Sequence, residues 1–206
     1  MLSIIIPIDI DSNIYYKESI QNFLKRNDVE IILVKQEEAY TRAERLNLGF
    51  HRSHGHMILF HHPRSLLTND AIEFLIQESE KKEKSIVWGG FTHQFDRRHI
   101  LLQWISWYSN VIRIRWKGIV YLDHCIFFSR ELWTSDLPVQ YLFEDTELSI
   151  KFKQIRKPIL LPYVSLTSSH RFLKHGIVRQ MVINFLLKIG YKLRLPSSLL
   201  FAIYQK

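Results

Sequence analysis

Short apolar runs alternate with longer segments of helical character, and this alternation limits the fold more than any other feature of the chain. Runs of Ile, Leu, Val and Phe with few polar interruptions are typical of strands buried on both faces of a sheet. The strand-like runs lie at residues 2–8, 29–34, 57–60, 85–91, 120–128 and 159–164. The helix-like segments lie at residues 15–26, 42–50, 69–82, 97–117 and 176–194, and a further helix opens at Phe143. Strands that alternate with helices predict βαβ units, and therefore an α/β protein with a mostly parallel sheet flanked by helices.

Length and composition favour one folded domain. The 206 residues are 47% hydrophobic and 23% charged, which is typical of a globular protein. We therefore predict a single domain over 1–206, in which 174–206 forms a basic amphipathic helical region. The single cysteine, Cys125, excludes an intramolecular disulfide.

The charge balance indicates an anionic partner. Lys and Arg total 28 against 20 for Asp and Glu, so the net charge is +8, which favours phosphates, nucleotides or an acidic bilayer surface. Nucleic acid is not predicted as a partner, because no recognition motif accompanies the charge. The sequence has no evident signal peptide or membrane-spanning apolar run. The expected location is therefore the cytoplasm, with attachment to the inner face of the cell membrane as a further candidate.

Two segments bear on that membrane question. Residues 176–194 are rich in Ile, Val, Leu and Phe, and such a basic helix either lies in an anionic bilayer interface or packs on the domain's own core. Its charges are Arg179, Lys188, Lys192 and Arg194. In the stretch 97–117, Trp104, Trp107, Tyr108 and Trp116 are predicted to be packing residues, with stacking of exposed members on a sugar or lipid acceptor as the alternative. Arg113, Arg115 and Lys117 form either a solvated face or a membrane-facing rim.

A pair of carboxylates, Glu144 and Asp145, opens the helix that follows the run 120–128. The first turn of a helix has unsatisfied backbone N–H groups that favour ionised carboxylates. An anionic Asp in this position is suited to act as a general base on a hydroxyl. The alternative is an acidic cap with no chemical role.

Several short motifs follow one another over nearly the whole chain. They are Ser3–Pro7, Arg42–Gly49, Trp88–Asp96, Asp123, Ser129–Trp133, Glu144-Asp145 and Leu166–Gly176, followed by Asn184, Gly190 and Tyr204. In this order and spacing they resemble a family-2 glycosyltransferase with the GT-A fold. More narrowly, they resemble the short bacterial branch of that family that is associated with radical-SAM and selenium-related proteins. The resemblance implies transfer of a sugar from a nucleotide-sugar donor to an acceptor hydroxyl, and the acceptor is not identified.

The resemblance also implies roles for individual residues. Asp145 would take the proton from the acceptor hydroxyl, Glu144 would support that geometry, and Asp123 would lie between donor and acceptor. The residues expected to line the donor cleft are Pro7, Asp9, Asp11, Lys35, Arg42 and Asn47. The residues expected to face the diphosphate are His62, Arg64, His170 and Arg171.

Two departures from the family pattern affect the chemistry. Where the family ends its second strand with an Asp, this chain has Lys35, and Arg64 stands at the metal-binding Asp of the family's Asp-x-Asp element. An Arg has donors and no acceptor, so it cannot bind the divalent Mg or Mn ion that is typical of the family. No residue of this chain is therefore predicted to bind a metal.

Two explanations of these departures remain open. In one, fixed cations neutralise the leaving phosphate in place of a metal ion, so transfer is metal-independent. In the other, the donor site has been abandoned, and the chain is a catalytically inactive binding protein at a membrane or in an enzyme complex.

Overall fold

A seven-stranded sheet forms the centre of the protein, with helices on both faces. The computed structural model describes residues 1–9, 15–81 and 87–205. The strands are β1 (Leu2–Ile8), β2 (Val29–Lys35), β3 (Met57–Phe60), β4 (Ser65–Leu67), β5 (Trp88–Phe95), β6 (Ile126–Ser129) and β7 (Ile159–Thr167). Their order across the sheet is β2-β1-β3-β6-β5-β7-β4. This arrangement confirms the predicted α/β class.

The helices connect and cover these strands. They are α1 (Tyr15–Ile20), α2 (Arg42–Arg52), α3 (Asn69–Glu80), α4 (Ile100–Tyr108), α5 (Glu144–Ile155), α6 (His170–His175), α7 (Ile177–Lys192) and α8 (Ser197–Gln205). A 3₁₀ turn, Gln21–Phe23, extends α1 toward the end of the predicted helix 15–26. The predicted strand 85–91 is found as β5, while its first two residues fall in the range 82–86, outside the described residues.

The sheet contains both parallel and antiparallel pairs. The parallel pairs are β1–β2, β1–β3 and β5–β7, and the antiparallel pairs are β3–β6, β5–β6 and β4–β7. Because β6 runs against both of its neighbours, β3 and β5 point in the same direction. The carboxyl ends of β3, β5 and β7 therefore lie at one edge of the sheet.

Side chains of β1 alternate between two apolar cores, one on each face of the sheet. Ile4 and Ile6 pack into the core that α1 and α3 cover. Ile5 points the other way, into a core that includes Ala43 and Leu46 of α2. Burial on both faces explains the uninterrupted apolar run that marks this strand in the sequence.

The predicted strand 120–128 is wrong over its first half. Leu122–His124 is a 3₁₀ turn, and Cys125 follows with a φ of 52°, so only Ile126–Ser129 forms a strand. The backbone N–H groups of Val120 and Leu122 donate to the side chains of Ser149 (2.9 Å) and Asp145 (3.1 Å) in α5. The N–H groups of this segment therefore bond to side chains of α5 and not to a neighbouring strand, as its apolar character had suggested.

The aromatic stretch 97–117 is helical, but its second half has wider turns. Residues Ser109–Trp116 form a π-helix that continues α4, and π-helical turns are often found at functional sites. The prediction that its tryptophans pack inside is wrong, because Trp104, Trp107 and Trp116 are 51, 52 and 79% exposed.

The C-terminal region consists of α6, α7 and α8. Only Gln180, Leu187 and Gly190 of α7 are buried, so most of its apolar side chains face outward. Gly190 lets α8 approach closely, since a Cβ placed there would lie 2.5 Å from the Leu200 side chain. Within the described part of the chain, no helix combines the length and apolar character that crossing a bilayer requires.

Candidate active site

A cavity of about 230 Å³ lies at the edge where β3, β5 and β7 end. In α/β proteins, ligands bind beyond the carboxyl ends of strands. The cavity receives His62 and Arg64 from the turn after β3, His93 from the end of β5, and Thr167 from the end of β7. Helices α5 to α8 close the other side. The sequence-predicted residues that line this cavity are Arg42, His62, Arg64, Asp123, Asp145 and Arg171.

Asp145 is buried at the start of α5, beside a fully buried Glu144. The residue before them, Phe143, has a φ of 70°, a left-handed conformation that is uncommon for a bulky side chain. Burial and the neighbouring Glu144 raise the pKa of Asp145 to about 7, although Arg42 and the Leu122 N–H act in the opposite direction. Burial therefore opposes the ionised state of this carboxyl, which the backbone N–H groups at the helix start favour.

Arg42 compensates the charge of Glu144 by an ion pair through its Nε. Its position is fixed by the capping box of α2, in which Thr41 N–H donates to Glu44 (2.8 Å) and Glu44 N–H donates to the Thr41 hydroxyl (3.2 Å). An ion pair to a fully buried carboxylate ties the start of α2 to the start of α5.

Asp123 lies in the cavity wall between two histidines. Its carboxylate oxygens are 3.7 Å from His93 Nε2 and 3.8 Å from His124 Nε2. Its backbone carbonyl accepts hydrogen bonds from Ser165 (2.7 Å) and Thr167 (3.1 Å), which fix the turn in place. Burial alone would raise the pKa of Asp123, but the two histidines and nearby cations hold it well below its usual range. This carboxylate is therefore ionised at neutral pH.

Arg64 and Arg171 approach the cavity from different elements. Arg171 of α6 stacks on the ring of Tyr204, with its Cζ 3.4 Å from the ring centroid, and also donates to the Tyr204 carbonyl. Arg64 follows His62 in the β3–β4 turn, and burial together with Arg64 and Arg42 lowers the pKa of His62 well below 6.5. His62 is therefore neutral, and the positive charge of this wall comes from arginine.

The structure does not bring every predicted site residue to the cavity. Pro7 is buried in β1, and Asp9 forms an ion pair with the buried Arg45. Lys35 and His170 are exposed and are not among the residues that line the cavity. Asp11 lies outside the described residues.

Asn47 likewise lies away from the lining residues and has a structural contact. Its amide donates to the Leu137 carbonyl and accepts from the Leu137 N–H, both at 2.9 Å. These two bonds hold the loop before α5 against α2.

Sequence reasoning missed several lining residues, among them His93, Arg113, Tyr121 and Lys188. Arg113 was expected on a solvated or membrane-facing surface, but it is buried and stacks on Tyr121, with its Cζ 3.8 Å from the ring centroid. Arg113 also donates at 2.8 Å to the hydroxyl of Ser109, four residues earlier, but this spacing does not by itself indicate which way the side chain points.

The cavity does not suit the divalent ion implied by the family resemblance. Its lining carboxylates are Asp123 and Asp145, and five cationic side chains line the same space. Arg64 is one of these five, and its guanidinium has no acceptor atom for a metal ion. Among residues 1–9, 15–81 and 87–205, no group of three or more His, Cys, Asp or Glu side chains could hold a metal ion.

The fold is similar to that of solved glycosyltransferases. Glucosyl-3-phosphoglycerate synthase from Mycobacterium tuberculosis, solved with Mn²⁺, uridine diphosphate and glucosyl-3-phosphoglycerate, matches with a TM-score of 0.59 and 13% identity, over 96% of this chain and 81% of that one. The mannosyltransferase PcManGT from Pyrobaculum calidifontis, solved with GDP-Man and Mn²⁺, matches with a TM-score of 0.54 and 13% identity over 80% of this chain. TarS from S. aureus matches with a TM-score of 0.54 and 14% identity over 88% of this chain.

These similarities show a GT-A glycosyltransferase fold. The chain spans 56% of the mannosyltransferase and 39% of TarS. No protein-family model and no curated protein sequence matches the chain.

The contacts of Asn47 generate a prediction that separates stability from ligand binding. Asn47→Ala leaves the Leu137 N–H and carbonyl unpaired, so it should lower the free energy of unfolding by about 1–3 kcal/mol. Urea unfolding measures this loss, and Asn22→Ala, at an exposed position, should change stability by less than about 0.5 kcal/mol. If Asn47→Ala kept its stability but lost affinity for a nucleotide, the result would support the donor-binding role predicted for Asn47.

Proposed function

We propose that the protein transfers a sugar from a nucleotide-sugar donor to an acceptor hydroxyl, as a divergent member of glycosyltransferase family 2 and its short bacterial branch. One observation supports this most: a buried carboxyl with a pKa of about 7, Asp145, opens into the same cavity as Arg42, Arg64 and Arg171. A general base works best when its pKa is near the working pH. The arginines provide binding energy for a diphosphate.

In the proposed reaction, Asp145 accepts the proton of the acceptor hydroxyl. The acceptor oxygen forms a bond to the anomeric carbon of the donor while the bond from that carbon to the diphosphate oxygen breaks. The electron pair leaves with the diphosphate, whose charge Arg64 and Arg171 stabilise. A single base without a second nucleophile suits an inverting displacement. Glu144 acts indirectly, because its ion pair with Arg42 fixes the start of α5.

The fixed arginines take the role that a divalent ion has in the related fold. Arg64 replaces the metal-binding Asp, and Arg171 is held against Tyr204, so both charges are held close to the proposed phosphate position. Pre-organised cations stabilise a leaving group without any rearrangement during the reaction. A metal-independent transferase is therefore favoured over an inactive binding protein, since an abandoned site has no need to hold these groups together.

An anionic membrane surface is the second proposed partner. Trp104 and Trp107 of α4 are half exposed, and Phe185 of α7 is 63% exposed. The two helices are neighbours, because Lys188 Nζ lies 5.8 Å from the ring centroid of Tyr108. Exposed basic residues lie on α7 (Arg179 and Lys192) and on the π-helix that continues α4 and its C-cap (Arg115 and Lys117). Exposed apolar side chains with basic neighbours suit the interface of an anionic bilayer.

The general-base role is tested by Asp145→Asn. This variant should lower turnover of a nucleotide sugar by about 10²- to 10⁴-fold while donor affinity stays within about threefold. Wild-type turnover should rise with pH through about 7, because the base must be ionised. Rates are measured as release of nucleoside diphosphate from UDP-glucose and GDP-mannose between pH 5 and 9.

Asp70→Asn is the matched control, since Asp70 is also the second residue of a helix but is exposed. It should leave turnover unchanged. If Asp145→Asn turned over the nucleotide sugar at the wild-type rate, the assignment of Asp145 as the base would be refuted. If no nucleotide sugar binds at millimolar concentration, the inactive binding protein is the better description.

The fixed-cation proposal predicts the response to metal. Adding Mn²⁺ or EDTA should change wild-type turnover by less than about twofold, whereas Arg64→Gln should lower it by about tenfold or more, because a charged hydrogen bond is lost. Arg52→Gln is a control on an exposed arginine of α2. A wild-type rate that depends on Mn²⁺ would contradict the proposal.

The membrane proposal predicts binding to vesicles of chosen composition. The protein should sediment with phosphatidylglycerol vesicles more than with phosphatidylcholine vesicles, and the double variant Trp104→Ser, Trp107→Ser should lose most of this binding. Tyr40→Ser removes an exposed aromatic ring elsewhere and should have no effect. Concentration-dependent self-association in ultracentrifugation without vesicle binding would instead identify a second copy of the chain as the occupant of this surface.

A further inference from the structure

Arg113 and Lys188 form a second group of positive charge in the cavity, apart from the arginines proposed for the donor. Arg113 belongs to the π-helix and is only 8% exposed. Lys188 belongs to α7 and is half-buried. Both line the cavity together with Asp123, and Arg113 and Asp123 are both close enough to Lys188 to act on its charge. Two different elements therefore supply these two cations.

These two cations lack a carboxylate partner within the described residues. Arg113 donates to the Ser109 hydroxyl (2.8 Å) and stacks on Tyr121, and both of these contacts are neutral. Lys188 has the ring of Tyr108 5.8 Å away. A buried charge is costly unless another charge compensates it. The Asp123 carboxylate acts on both cations from a distance, and an anion bound in the cavity would add to that compensation.

The donor-side arginines are different in this respect. Arg42 is paired with Glu144, and Arg171 is held by the ring and carbonyl of Tyr204. Arg113 and Lys188 line the cavity together with Asp123, whose carboxylate lies 3.7 Å from His93 and 3.8 Å from His124. The cavity is therefore lined by two sets of cations, one held by Glu144 and Tyr204 and one without an ion pair of its own, together with the Asp123 carboxylate.

We propose that Arg113 and Lys188 bind a phosphate group of the acceptor. This inference rests on the proposed function, because it concerns the second substrate of the same cavity. A phosphate monoester carries up to two negative charges and three acceptor oxygens, which matches two cations that approach from separate elements. The acceptor hydroxyl then lies between this phosphate and the donor, within the space that Asp145 also lines.

The pH dependence of this site follows from its surroundings. The charged and titratable groups that face Lys188 are Arg113, Lys117, Asp123 and Tyr108. Burial, and then Arg113, lower the pKa of Lys188 to about 8, while Asp123 acts in the opposite direction. A lysine that has lost its proton no longer attracts an anion, so phosphate affinity should fall as the pH rises through about 8.

The test measures binding of glycerol 3-phosphate by calorimetry in the presence of saturating UDP or GDP. Arg113→Gln and Lys188→Gln should each weaken its binding by about tenfold or more, while affinity for UDP and GDP changes by less than about twofold. Lys153→Gln and Lys157→Gln, at exposed positions outside the cavity lining, should leave both affinities unchanged. Lys188→Gln should also abolish the weakening of binding above pH 8.

Further arms keep the outcome decisive. Arg113→Lys keeps the charge and should retain part of the affinity. Thermal unfolding identifies any variant that does not fold. If Arg113→Gln does not fold, the proposal is tested with Lys188→Gln. Vesicles with phosphatidic acid, compared with phosphatidylglycerol at equal charge, reveal whether the phosphate belongs to a lipid or to a soluble acceptor.

Two results would overturn the proposal. In the first, both variants bind glycerol 3-phosphate as the wild type does. In the second, the affinity of both variants for UDP or GDP falls by as large a factor as their affinity for glycerol 3-phosphate, which would assign these cations to donor binding. Absence of any nucleotide binding would refute the proposed transferase instead, and titration of glycerol 3-phosphate alone into the same variants would still test the phosphate site.

Discussion

The ion pair between Arg42 and Glu144 is the contact on which the arrangement of the cavity depends. Glu144 is fully buried, so without Arg42 its charge would be uncompensated, and such a loss typically costs about 3–5 kcal/mol. Arg42 is itself fixed by the capping box at Thr41. This pair connects two helices a hundred residues apart in sequence, and it leaves the neighbouring Asp145 facing the cavity with a pKa that burial has raised.

The fold was predictable from the sequence where local pattern and tertiary partner agree. Strand β3 and helix α2 were predicted nearly to the residue, because burial on both faces and a capping box each leave a local signal. The segment 120–125 was predicted as a strand for its apolar character, but its N–H groups bond to side chains of α5. No local sequence pattern indicates that side chains of α5 take the place of a strand partner here. The exposed tryptophans of the 97–117 stretch have the same explanation, since helical spacing says nothing about which neighbour covers a face.

The candidate site was predictable only in part. The family resemblance indicated Asp123, Asp145, Arg64 and Arg171, all of which line one cavity. The same resemblance could not indicate that Asn47 bonds to a loop ninety residues away. Arg113 and Lys188 were missed because a basic residue on a helix usually faces water. Arg113 is instead buried and stacks on Tyr121, and Lys188 lies 5.8 Å from the ring of Tyr108. Side-chain direction is set by such long-range packing, which a single sequence does not encode in its spacing.

One small residue far from the chemistry has an effect on the shape of the cavity. Gly190 allows Leu200 to dock, and Leu200 is the buried residue of α8, the helix that also carries Tyr204. Tyr204 in turn supports Arg171. A methyl group at position 190 would force the end of the Leu200 side chain to move, which would change how α8 packs and so affect the support beneath an arginine that Gly190 never touches. Variation at such a glycine could alter ligand preference without altering any ligand-contacting residue, so comparisons of related chains should follow position 190 together with Leu200 and Tyr204.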